Sequence, residues 1–418
     1  MKPLLLLGFI FNVVQGNSDH PSGHLKPLGS HQEPEQPITE LHEAPSPIDF
    51  FENFVKPGKP VLFKGAAKKM PSFSLWTDEY LSKKFGGLKM DVEEGKKENR
   101  SWGTFNFKLQ DFIKRYKTED VYMVESLPKQ MQEEYMLLKS LHCGGFTDVL
   151  QDAVMWFSSG GTKSVFHFDA VENINCLFSG SKQFVMVDKI FKPQAHIDKV
   201  DGSYSTVDVE KVDMYKYPGL RNIPWYNVSM VEGDCLYIPY MWLHHVRSYG
   251  ARNLAINIWW AHFTFFNESD CKTSKYKDTE YLPLSSFPFK PMETTRQRIL
   301  EELGRRSVTQ DEWIEMSRKL ATVLLLEQNT KEAIIKNFQE LDKNKDGFVS
   351  AEEILDLESS DIERLLTPGQ LPVEESEEEE DEEEDYPPAK EEEVGSEEST
   401  IEKLVEAKNE RVGIKEDL

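Results

Sequence analysis

Long apolar runs are almost missing from this 418-residue chain. The one exception, Leu4–Val14, covers eleven residues, about half of the ~20 that a helix needs to cross a bilayer. No membrane span is therefore expected. Positive charge is also short: 49 Lys and Arg face 73 Asp and Glu, for a net charge of −24. Nucleic-acid binding needs a basic surface, so no nucleic-acid partner is expected. Cysteine is confined to Cys143, Cys176, Cys235 and Cys271. Four thiols allow three pairings, and Cys176 and Cys235, inside strand-like runs, can equally be small buried hydrophobes. What the chain does have is 39% apolar residues with 25 Phe and 8 Trp, which suits a globular enzyme or binding domain.

The acid is unevenly placed. Residues 371–418 carry 21 acidic and 5 basic side chains, a net of −16, leaving −8 for everything before them. Within 374–385, 11 of 12 residues are acidic; such a run cannot bury a core and is expected to be disordered. At the other end, Lys2, the apolar run and Val14-Gln15-Gly16 have the layout of a signal peptide over 1–16. Asn99-Arg100-Ser101, Asn227-Val228-Ser229 and Asn267-Glu268-Ser269 are glycosylation sequons. The final Lys415-Glu416-Asp417-Leu418 resembles a retrieval signal of the endoplasmic reticulum, in altered order. Together these predict a glycoprotein of the reticulum lumen, or one secreted.

Between the ends, 17–45 is rich in His, Pro, Ser and Glu and reads as a flexible lead-in. Short apolar runs with Gly and Pro turns, such as "KPGKPVLFKG" at 56–65 and the strands within 230–263, make 46–270 a β-rich domain with some helix. A linker is expected over 271–292. Over 293–367 the period becomes helical, with Leu300, Leu303, Trp313, Met316, Leu320 and Leu324 on apolar faces. The tail follows over 368–418.

The chemistry begins in "TKSVFHFDAVENINCLFSGSKQF", 162–184. His167 and Asp169 are two apart in a strand-like run and so share a face. Burying that pair without compensation is costly. His244, in "GDCLYIPYMWLHHV", completes a set of two histidines and one carboxylate, the facial triad of non-haem Fe(II) oxygenases, which leaves adjacent positions on the ion open.

With "FHFDAVENINCLFSGSKQF", "GDCLYIPYMWLHHV" and "NLAINIWW" in order, residues 48–266 resemble the JmjC-type, cupin-like Fe(II)/2-oxoglutarate oxygenases, nearest their small asparaginyl-hydroxylase-like members. The resemblance implies a double-stranded β-helix (jelly-roll) core in an α+β chain. It implies iron ligands His167, Asp169 and His244, selecting His244 over His245, which points to the opposite face. It implies that Lys182 binds the distal carboxylate of 2-oxoglutarate, where a closed pocket needs a point charge. Ser164 would assist it, Asn173 and Asn257 would line the pocket, and Tyr122 would touch the cofactor. The implied reaction uses O2 and 2-oxoglutarate to hydroxylate a C–H bond, here on a protein or peptide substrate. Without that activity, the alternative is a non-catalytic, calcium-binding interaction protein of the lumen.

Calcium enters through "DKNKDGFVSAEE", 342–353, which fits the EF-hand loop. Asp342, Asn344, Asp346, Phe348 (through its carbonyl), Ser350 and Glu353 fill ligand positions, and Gly347 supplies the sharp turn. Ile334, Ile335, Phe338 and Leu341 mark the entering helix. "GRRSVTQDEW" offers a degenerate partner loop, with Val308 and Glu312 at matching positions but without the earlier oxygens.

Overall fold

A computed structural model describes residues 20–95, 104–197, 203–273, 281–290, 293–303, 306–323, 331–355, 357 and 361–362. The expected signal peptide, the Asn99 sequon and the acidic tail with its terminal tetrapeptide lie outside them.

Strand sequences alternate or run apolar as their neighbours demand. Eleven strands join one sheet, whose order is Thr39–Leu41, Val61–Phe63, Cys235–Ile238, Glu172–Val187, Leu243–Trp260, Leu150–Ser158, Val121–Ser126, Lys89–Glu94 and Thr104–Lys108. Tyr226–Val231 adds to Glu172–Val187, and His167–Phe168 to Leu243–Trp260. All pairings are antiparallel except that of Thr39–Leu41 with Val61–Phe63. This arrangement is consistent with a jelly-roll core.

Two long strands do most of the wrapping. Glu172–Val187 and Leu243–Trp260 pair along most of their length, with register shifts between Tyr249 and Ala255. The separate strands expected across the Gly250 turn therefore form one bent strand. Gly180 sits at the same bend at φ +85°, where a Cβ would lie 2.6 Å from the carbonyl oxygens of both Arg252 and Tyr249. Only glycine fits there.

The N-terminal stretch corrects its sequence reading. Residues 20–45 were expected to be flexible, yet Leu28 and His31 are buried. Leu28 N–H donates to Val209 O, His31 Nε2 meets Ile223 O at 2.8 Å, and Trp225 Nε1 donates to Gln32 O. Its polar composition hides this because the partners lie almost two hundred residues away.

The expected linker is also pinned. Cys271 is bonded to Cys143, Tyr281–Pro283 pairs with Met136–Leu138, and Lys290 N–H donates to Leu150 O at 2.5 Å. Leu284 and Phe287 are buried in the main core. The remaining cysteines pair as Cys176–Cys235.

Beyond 293, helices Glu293–Leu303, Gln310–Val323, Lys331–Leu341 and Ala351–Leu355 share a separate core with Ile299, Trp313, Phe338 and Ile354. Val308 pairs with Val349 and Thr309 with Phe348. Within the "GRRSVTQDEW" segment, Val308 and Thr309 thus form a two-residue ladder with the 342–353 loop, joined at the two valines.

Candidate metal and 2-oxo-acid site

His167 opens the short strand His167–Phe168 after a bend, and His244 is the second residue of the long strand Leu243–Trp260. Asp169 follows just past the first. Its carboxylate lies 3.9 Å from His167 Nε2 and 3.7 Å from His244 Nε2. One ligand atom from each of the three falls within 4.8 Å of the other two, the one such group among the described residues.

The ring nitrogens are already sorted. His167 Nδ1 meets Val165 O at 2.8 Å and His244 Nδ1 meets Trp242 O at 3.0 Å. A carbonyl only accepts, so each Nδ1 carries a proton and each Nε2 is the nitrogen turned toward the shared space. Burial, with His167 beside it, lowers the His244 pKa to about 4 against the pull of Asp169, which keeps the ring neutral. Two imidazoles and a carboxylate, converging with open space on one side, are the donor set that Fe(II) takes. His245 behaves as expected: it is fully buried, with Nδ1 on Ser164 O at 2.7 Å.

The triad faces a cavity of about 440 Å³, within the range of about 300–1,000 Å³ for small-ligand pockets. Lys182, Ser164, Asn173, Asn257 and Tyr122 all line it. Lys182 is 5% exposed, and burial lowers its pKa to about 7. Its Nζ donates to Ser248 Oγ at 2.9 Å. A buried ammonium facing an open cavity is placed for an anionic ligand. Asn173 Oδ1 is buried and without a hydrogen-bond partner, as a wall awaiting a polar ligand would be.

Ser164 departs from its expected part. Its hydroxyl donates to Val165 O and accepts Val246 N–H, both at 2.9 Å; the hydroxyl that meets Lys182 is Ser248's. Asn257 is also committed, with Oδ1 accepting from Asn175 Nδ2. Asn175, Ser248, Trp156 and Tyr204 line the cavity too and escaped the sequence reading. The signal that could have found Asn175 is the period of two, which puts it on the same face as Asn173. Tyr204 lies on a distant segment and stacks on His167 with rings 8° apart; nothing local in the sequence announces it.

In the second core, Asp342 accepts Asp346 N–H at 3.0 Å and Gly347 N–H at 2.9 Å. Glu353 accepts Lys343 N–H at 3.0 Å and Ser350 N–H at 2.9 Å. Gly347 takes φ +85°. The loop thus turns the carboxylates of its first and last ligand positions back onto its own amides.

Comparison with known proteins identifies the family. The profile of the cupin-like domain matches residues 47–265. The Jumonji C domain-containing protein 5 of Drosophila melanogaster is 24% identical over 242 residues, covering 52% of this chain and 58% of that protein. Lysine-specific demethylase 8 of Danio rerio is 27% identical over 248 residues, covering 54% and 59%. The bifunctional peptidase and (3S)-lysyl hydroxylase JMJD7 of Homo sapiens is 24% identical over 264 residues, covering 53% and 83%. The match spans somewhat less than two thirds of the first two relatives. The chain belongs to the cupin-like domain family.

Proposed function

We propose that this chain is an Fe(II)- and 2-oxoglutarate-dependent hydroxylase of polypeptides, working in the lumen of the endoplasmic reticulum and carrying a calcium site at 342–353. The observation that carries the oxygenase is the convergence of His167, Asp169 and His244 on the cavity that also contains Lys182. When bound, iron and 2-oxoglutarate supply the oxidising chemistry: O2 is consumed, succinate and CO2 are released, and a substrate C–H becomes C–OH. The protein's own part is positional. His167, Asp169 and His244 hold the metal, and Lys182, oriented by Ser248, holds the far carboxylate. The apolar wall around Phe184 and Ile238 limits water. That two relatives are named as a lysine demethylase and a lysyl hydroxylase supports a protein substrate.

The lumenal address is supported by the pairing of all four cysteines, which suits an oxidising compartment, and by the exposure of the Asn227 sequon. Calcium is supported by the fit of 342–353 to the loop pattern and by its ladder to Val308.

The test is succinate formation from 2-oxoglutarate with Fe(II), ascorbate and a lumenal protein extract. The intact protein is expected to turn over and His167→Ala to fall to background. Equal rates in the two would favour the non-catalytic alternative.

A further inference from the structure

We infer that Glu172 is a positioning residue for the metal centre, setting the approach of Asp169 and His244 through the turn at 239–242; the inference rests on the oxygenase reading above. Glu172 opens the strand Glu172–Val187 and is 1% exposed. It is absent from the cavity wall, whereas its neighbour Asn173 lines it, as alternation along a strand requires. It therefore acts on any ligand only through other groups.

A carboxylate buried this deeply is tolerated only when its oxygens are fully engaged. One oxygen accepts Tyr237 O–H at 2.6 Å and Tyr240 N–H at 2.9 Å, and the other accepts His262 Nδ1 at 2.6 Å. The three donors come from the strand Cys235–Ile238, from the turn after it, and from the residues just past Leu243–Trp260. The His262 ring also stacks on that of Tyr240, centroids 4.4 Å apart.

The turn itself touches both ligand residues. Met241 N–H donates to Asp169 O at 3.0 Å, and Trp242 O accepts His244 Nδ1 at 3.0 Å. Met241 takes φ +67°, a left-handed conformation that is strained for a residue with a side chain. Such a residue keeps its shape only when its surroundings hold it. Three consecutive residues thus form a relay: Tyr240 is held by Glu172, Met241 holds the backbone of Asp169, and Trp242 orients the ring of His244. Releasing the first contact lets the turn relax and separates two of the three ligands.

The experiment measures Mn(II) affinity of the full chain by electron paramagnetic resonance, without 2-oxoglutarate and with saturating calcium to occupy the 342–353 loop. Glu172→Gln is expected to weaken Mn(II) binding tenfold or more, in the usual range for groups that support metal ligands. His262→Ala, at a partly exposed position, is expected to weaken it three- to tenfold. Glu134→Gln serves as the comparison. Glu134 is an equally engaged buried carboxylate on Trp76 Nε1 and Lys84, away from the turn; its loss should lower the unfolding midpoint and leave Mn(II) affinity within twofold. Glu172→Gln binding within twofold of wild type overturns the inference, as does equal weakening by Glu134→Gln. If Glu172→Gln fails to fold, His262→Ala binding within twofold of wild type overturns it. Undiminished binding by His167→Ala would instead overturn the metal-centre reading, and this inference with it.

Discussion

His167 and His244 are register partners across an antiparallel pair, and their ring centroids stand 4.3 Å apart. A two-residue strand is enough to fix this, because pairing with Leu243–Trp260 sets the side of the sheet on which each imidazole emerges. Asp169 needs only to follow the first ring around the bend.

That geometry makes Asp169 the sole negative member of the triad. Asp169→Asn is expected to lower succinate formation by ~10²-fold or more. Unfolding of the metal-free protein should change by less than about 0.5 kcal/mol, since the side chain faces the cavity. Paired turnover and urea-denaturation measurements check both.

Lys182 gives a pH-dependent expectation. Its pKa is lowered by burial to about 7 in the folded chain, against about 10.4 when unfolded. Between these values the unfolded state binds more protons, so this group's penalty is full below pH 7 and is relieved as pH rises toward 10. Lys182→Met should stabilise the ligand-free protein by on the order of 3 kcal/mol at pH 6.5 and by much less at pH 9.5. It should also raise the 2-oxoglutarate KM by ~10²-fold. Urea midpoints at the two pH values are the measurement, and a gain independent of pH would contradict it.

Gly180→Ala should be costly in two ways. A Cβ would meet two carbonyl oxygens at 2.6 Å on a backbone at φ +85°, so a loss of about 2–4 kcal/mol is expected. Because Lys182 lies two residues further along the same strand, KM for 2-oxoglutarate should rise more than kcat falls. Thermal unfolding and steady-state kinetics separate the effects.

For the 342–353 loop, binding of calcium to the folded chain alone should raise its stability by about 2.7 kcal/mol at a hundredfold excess over Kd. Glu353→Gln should remove most of that gain, because the last loop position supplies two oxygens at once. Calorimetric scans with and without calcium decide it.

The triad was legible because its three residue types are rare in apolar strands and stand in motifs of fixed spacing. Lys182 followed from the resemblance, and its burial beside Ser248 supplies the physical reason. Less visible were groups placed by pairing between distant strands. Ser248 reaches Lys182 because the two are register partners, a fact set by bulges that composition does not reveal. The disulfides follow the same logic: Cys176 lies opposite Cys235 across a ladder. Residues 20–45 misled because their order comes from Val209, Val212 and Ile223, not from any periodicity of their own. Val308 was legible in "GRRSVTQDEW", since the two-residue ladder it makes with Val349 asks little more of a sequence.

The strap at 281–290 settles where the cupin-like domain can be severed. Leu284 and Phe287 fill its interior and Lys290 is tied to the first residue of the strand that carries Trp156. A chain ended at 270 would leave an open seam along Met136–Leu138, unpaired backbone there, and Cys143 without its bond. The shortest self-sufficient piece of that domain therefore extends through Lys290, and the helices begin almost at once beyond it.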